Sequence, residues 1–153
     1  MKYAMALGLL AFSIAPSAQD MSPDEAQVRE FVRKSCAFHA CGEGDVVVTS
    51  YSKGSPAVGC PTKDLSIYAN FVITNAALGI TEKAATGETA YLMKTMRANA
   101  GVSSFEEAAR GCWRLEHKQR VIILQYSERG AVKVSPVRGG APYWTQSNHL
   151  DRP

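Results

Sequence analysis

Four cysteines, Cys36, Cys41, Cys60 and Cys112, constrain this chain more than any other feature. In an oxidising compartment they form two disulfides, for which three connectivities exist. The N-terminus predicts such a compartment. Met1-Lys2-Tyr3 is a short basic start, and Ala4 to Ala15 is apolar apart from Gly8 and Ser13. Small residues at Ala15, Ser17 and Ala18 then precede polar Gln19-Asp20. This is the pattern of a secretory signal over residues 1–18, cleaved after Ser17 or Ala18. Residues 19–153 are then one exported domain, periplasmic or secreted. The favoured pairing is Cys36–Cys41, which staples a tight turn, with Cys60–Cys112, which closes a loop of roughly fifty residues. In the chain-entropy account the long loop contributes about 4 kcal/mol and the short one about 2 kcal/mol. His39 lies between Cys36 and Cys41, but Cys-x2-His-x-Cys has no second half elsewhere, so no metal centre is predicted.

The chain has 153 residues, 46% hydrophobic and 20% charged, enough for one folded domain with its own core. A net charge of +3 is too small for a dedicated nucleic-acid binder, which carries a dense basic stripe. No apolar run reaches the ~18 residues of a membrane span. The charge is nevertheless uneven. Residues 19–109 carry 8 Lys and Arg against 11 Asp and Glu, whereas residues 110–153 carry 8 against 3. The C-terminal segment is therefore basic and suited to an anionic partner.

Four regions follow one another. Over residues 22–42, Ser22-Pro23-Asp24-Glu25 predicts a capped helix start. Val28, Phe31, Val32 and Ser35 then recur at helical spacing, a stripe able to dock on a core, up to about Lys34 and the Cys36–Cys41 turn. Residues 46–60 open with β-branched Val46 to Tyr51, a strand ended by Lys53-Gly54-Ser55-Pro56. Residues 62–111 form a helical block. Its first helix starts at Thr62 or Asp64, carries Leu65, Tyr68, Ala69, Val72 and Ala76 on one face, and stops at Gly79. A second helix runs from Thr86 to Asn99 with Tyr91, Leu92, Met93 and Met96 as packing residues. A third, short helix opens at the capping box Ser104-Phe105-Glu106-Glu107 and ends at Gly111. Residues 112–153 return to strands at Arg120–Tyr126, Ala131–Ser135 and Tyr143–Thr145.

Leu115-Glu116-His117-Lys118-Gln119-Arg120-Val121-Ile122-Ile123-Leu124, Gly130-Ala131-Val132-Lys133-Val134, Tyr143-Trp144-Thr145 and Leu150 resemble the second half of a bacterial SH3-like domain. The resemblance implies an α+β protein: a small SH3-like β-barrel with an N-terminal helix and an inserted helical block. Its first strand would come from residues 46–60, and Cys60–Cys112 would pin the ends of the insertion at the barrel rim. It also implies an aromatic groove that binds extended peptides or glycopeptides. Tyr143 and Trp144 would lie at that groove, with Tyr126 and Trp113 beside it and Arg120 and Arg138 on its rim.

Other chemistry is sparse. His39, His117 and His149 stand in no ligand or catalytic spacing and read as surface residues. Gly54 to Gly59 lacks the Lys-Ser/Thr that follows a phosphate loop. Adjacent Glu106 and Glu107 point about 100° apart on a helix. The expectation is therefore a non-enzymatic exported binding module, without cofactor, catalytic group or metal. Its partner would be an envelope protein or a peptidoglycan-derived ligand, not nucleic acid. The alternative is a periplasmic inhibitor or immunity-type protein that binds a toxin or hydrolase through its helical block.

Overall fold

The computed structural model describes residues 23–39, 41–51 and 56–153; the expected signal segment, residues 1–18, lies outside them. The protein is α+β. In chain order the elements are α1 (Pro23–Lys34), β1 (Val46–Thr49), β2 (Val58–Gly59), α2 (Lys63–Ala77), α3 (Gly87–Ala100) and α4 (Phe105–Gly111). They continue with β3 (Trp113–Arg114), β4 (Arg120–Tyr126), β5 (Ala131–Pro136), β6 (Tyr143–Gln146) and β7 (Leu150–Asp151). A 3-10 turn, Ser147–His149, joins β6 to β7.

Five strands form one antiparallel sheet in the order β6-β5-β4-β1-β7, and β2 pairs with β3. Among the described residues β6 and β7 do not pair, so the sheet forms no closed barrel. Both edges are instead covered, which removes open templates for strand addition. Cys60 exchanges two backbone hydrogen bonds of 2.8 Å with Trp144, docking the β2–β3 ribbon on β6. At the other edge Cys36 N–H donates to Leu150 O at 2.8 Å and Arg152 N–H to Lys34 O at 3.0 Å.

Two apolar clusters lie on opposite faces of the sheet. Val47, Val121, Ile123, Val132, Val134, Tyr143 and Leu150 fill one, closed by Ala57 and Leu115 beside the short ribbon and by Cys36 and Cys41. The other joins Ala131 and Trp144 of the sheet to Leu65, Ile67, Tyr68, Ala69 and Val72 of α2, with Met96 and Ala108 behind. Both expected disulfides are present, Cys36–Cys41 and Cys60–Cys112. The second ties the start of the helical block to its end, so the block hangs from the β2–β3 ribbon and folds back on the sheet.

Local chemistry accounts for the helices. Thr62 Oγ1 accepts from Leu65 N–H at the start of α2, and Ser104 Oγ accepts from Glu107 N–H at the start of α4. Glu107 Oε2 reaches one residue further back than a capping box, to the N–H of Ser103 at 2.7 Å. Gly101, with φ of 68°, ends α3 in the left-handed conformation that glycine adopts freely. The expected packing holds only in part. Val28, Phe31 and Val32 of the α1 stripe are exposed and meet no core among the described residues, whereas Ser35, the next member of the stripe, is buried. In α3 Met93 and Met96 are buried and Leu92 packs on the helical cluster, whereas Tyr91 is exposed.

Candidate ligand-binding surface

The stretch from β3 to the start of β4 brings several charged and aromatic side chains to the surface. Leu115 is buried and anchors it, while Trp113, Arg114, Glu116, His117, Lys118 and Arg120 are exposed. Its turn is held from beneath by fully buried Thr49 at the end of β1. Thr49 N–H donates to Gln119 O at 2.9 Å, and Lys118 N–H donates to Thr49 O at 2.7 Å. The Thr49 hydroxyl donates to Glu116 O and accepts from Gln119 N–H at 2.9 Å. Lys118 adopts φ of 61°, a left-handed conformation uncommon outside glycine and asparagine, so the turn is imposed by these bonds. The outcome is a ridge at His117 and Lys118.

A cleft lies on each side of that ridge, and both residues line both clefts. The larger, about 590 Å³, runs between α1, the end of β1 and the Ser147–His149 turn. Its walls include apolar Phe31, Val48 and Tyr51, and its lining also carries the cations Lys34, Lys118 and Arg152 and the carboxylates of Glu30 and Asp151. Lys34 is already paired with Glu30 at 2.6 Å. The smaller, about 340 Å³, lies between the ridge and the turn after β5. It gathers Lys118, Arg120 and Arg138 against the single carboxylate of Glu116. Among the described residues none of those three cations makes an ion pair.

Aromatic rings support the ridge. Tyr51 meets His117 edge-on at 5.2 Å, and the Arg114 guanidinium lies 5.2 Å from the Tyr51 ring centre, within cation–π range. Trp113 meets Tyr143 edge-on at 5.5 Å. Gly59 lies beneath this pair: a Cβ there would come within 2.8 Å of Leu115 Cδ2 and 3.0 Å of both Trp113 Cε2 and Tyr143 Cδ2.

The expected binding residues therefore separate. Arg120 and Arg138 converge on the smaller cleft, because the β4–β5 register brings Val137 N–H to Arg120 O at 3.0 Å. Trp113 is exposed on β3. Tyr143 is buried, which pushes its phenol up to about 12. Trp144, its neighbour on β6, points to the other face and packs on the helical block. Successive strand residues alternate faces, so these two cannot line one groove. Tyr126 packs half-buried against the first cluster, its hydroxyl buried without a hydrogen bond; burial, and then the charge of Asp45, raise its pKa.

Among the histidines only His117 meets the surface expectation fully; His39 is half-buried. His149 is 3% exposed, and burial lowers its pKa to about 4. The sequence gives no sign of the roles of Thr49 and His149. A Thr ending a β-branched strand carries no mark of the bonds that it will make seventy residues away. Among the described residues no group of three or more His, Cys, Asp or Glu side chains could hold a metal ion, and no helix is long and apolar enough to cross a membrane.

Comparison with known proteins adds no relative. No family model, curated protein or solved structure matches this chain.

Proposed function

We propose that this protein is a non-enzymatic, exported binding module of SH3-like type that recognises a peptide or cell-wall glycopeptide of the bacterial envelope through the ridge at His117–Lys118. The observation that carries the reading is the convergence of Lys118, Arg120 and Arg138, none of them ion-paired among the described residues, on one cleft. Three cations beside one carboxylate give this cleft a positive potential that favours an anion. The SH3-like assignment is supported by the strand order, in which β1 lies between β4 and β7, and by the 3-10 turn before β7. In that reading the β2–β3 ribbon is the long first hairpin of the fold, enlarged at its tip by the helical block. Two disulfides suit an oxidising compartment such as the periplasm.

The test compares the mature protein with the Arg120→Ala/Arg138→Ala variant in sedimentation with purified peptidoglycan and in capture from an envelope extract. Both arginines are exposed, so the variant keeps its fold. Salt-sensitive binding that the variant loses supports the reading. Binding that the variant retains in full contradicts it.

A second reading, an inhibitor or immunity-type protein, is favoured by α1 rather than by the helical block. Val28, Phe31, Val32 and Phe38 expose 60%, 42%, 40% and 59% of their surface, an apolar face of the kind that marks protein interaction sites. Tight capture of one protein, lost on Val28→Ser/Val32→Ser and untouched by the arginine variant, would select it.

A further inference from the structure

The two clefts differ in chemistry yet share His117 and Lys118, so a ligand that occupies one is led directly into the other. We infer that the ligand is an extended peptide lying across this ridge, with an apolar side chain in the larger cleft and a neighbouring carboxylate in the smaller. The inference rests on the reading above, that this face binds a ligand, and it selects peptide over glycan.

Charge and polarity decide the selection. In the larger cleft three cations meet two carboxylates, and Lys34 is already spent on Glu30. That near balance gives an anion little advantage, whereas Phe31, Val48 and Tyr51 offer apolar wall. A volume of about 590 Å³ admits a bulky side chain with backbone on either side. Tyr51 is steadied by His117 on its edge and by the Arg114 cation, so this wall is formed before any ligand arrives. The smaller cleft is the reverse, with Lys118, Arg120 and Arg138 against Glu116 alone among the described residues. A neutral sugar chain would leave those cations unanswered. A carboxylate gains charge-assisted hydrogen bonds there, and the planar arginine groups suit its two oxygens. An extended chain with an apolar residue close to an aspartate or glutamate satisfies both sides of the ridge at once.

The experiment uses fluorescein-labelled octapeptides of glycine and serine that carry a phenylalanine and two adjacent glutamates, in both orders. One control set replaces the glutamates by lysines and another replaces the phenylalanine by glycine. Fluorescence anisotropy with the oxidised mature protein should show one acidic order binding about tenfold more tightly than either control, a difference of about 1.4 kcal/mol. Arg120→Ala/Arg138→Ala should remove the preference for glutamate and keep that for phenylalanine. Phe31→Ser, on exposed α1, should do the opposite. Equal binding of all peptides, no binding at millimolar concentration, or a glutamate preference that survives the arginine variant would overturn the inference. If the arginine variant still loses peptidoglycan or extract binding, the binding face stands and only the ligand class falls. If that binding is also unchanged, both fall together.

Discussion

Acidification from pH 7 to pH 5 should destabilise this protein through one side chain, His149. The ring is 3% exposed, and burial holds its pKa at about 4 instead of the ordinary 6.5. Its Nδ1 lies 3.4 Å from Thr145 Oγ1, whose own hydroxyl donates to Val58 O at 2.9 Å. Thr145 can therefore only accept from the ring, which assigns the imidazole hydrogen to Nδ1 in the neutral form. Above about pH 6.5 the histidine is neutral in both folded and unfolded chains and has no effect. Below that value the unfolded chain takes up a proton that the folded protein refuses, so stability falls with pH until about pH 4. The full difference corresponds to on the order of 3 kcal/mol, of which about 2 kcal/mol is lost by pH 5. The carboxylates of Glu30, Glu106, Glu107 and Glu128, held low by hydrogen bonds and by neighbouring cations, stay ionised in this window. Urea unfolding of the oxidised protein at pH 7 and pH 5 measures the loss, and His149→Gln supplies the control because it does not titrate. The wild type should lose about 2 kcal/mol more than the variant over that interval. Equal losses, or a wild type that gains stability on acidification, would refute the argument.

Gly59→Ala should cost about 1–3 kcal/mol, since the new methyl meets Leu115, Trp113 and Tyr143 at 2.8–3.0 Å; an unchanged urea midpoint and unchanged tryptophan emission would count against it. Thr49→Val should cost about 1–3 kcal/mol by leaving the Glu116–Gln119 turn without its hydroxyl partner, while Thr49→Ser should restore most of the loss; equal effects would deny the hydroxyl its role. Removing Cys60–Cys112 by paired alanines should lower stability by about 4 kcal/mol against about 2 kcal/mol for Cys36–Cys41, and the reverse order in thermal melts would contradict the loop-length argument.

Much of the fold is legible in the sequence because its signals are local. The Ser104 cap, the Gly101 stop and the β-branched run at Arg120–Tyr126 each announce an element within a few residues. The short β2, β3 and β7 are not, since two-residue strands owe their existence to a partner strand and have no periodicity of their own. The α1 stripe is amphipathic as its spacing indicates, but pattern alone does not supply the core that such a stripe needs, and among the described residues none covers Val28, Phe31 or Val32. At the candidate site, Arg120 and Arg138 stand out as rim residues, yet their meeting depends on the β4–β5 register. A bulge between Ile123 and Gln125 shifts that register, and no residue spacing reveals it. Grouping Tyr143 with Trp144 breaks a rule that the sequence already contains, because neighbours on a strand face opposite ways. His149 is hidden for a different cause: the 3-10 turn that buries it forms only when β7 returns to pair with β1.

Site-specific photo-crosslinking reads which face of the protein meets the partner, whatever the ligand is. A benzophenone side chain replaces Val137, which lines the smaller cleft, or Trp113 on β3, or else Val28, Leu78 or Tyr91 on α1 and the helical block; all five positions are exposed. Each variant is irradiated with peptidoglycan and with envelope extract. Adducts should form from positions 113 and 137 and be suppressed by the Arg120→Ala/Arg138→Ala background. Adducts confined to positions 28, 78 and 91, indifferent to the arginines, would contradict this expectation.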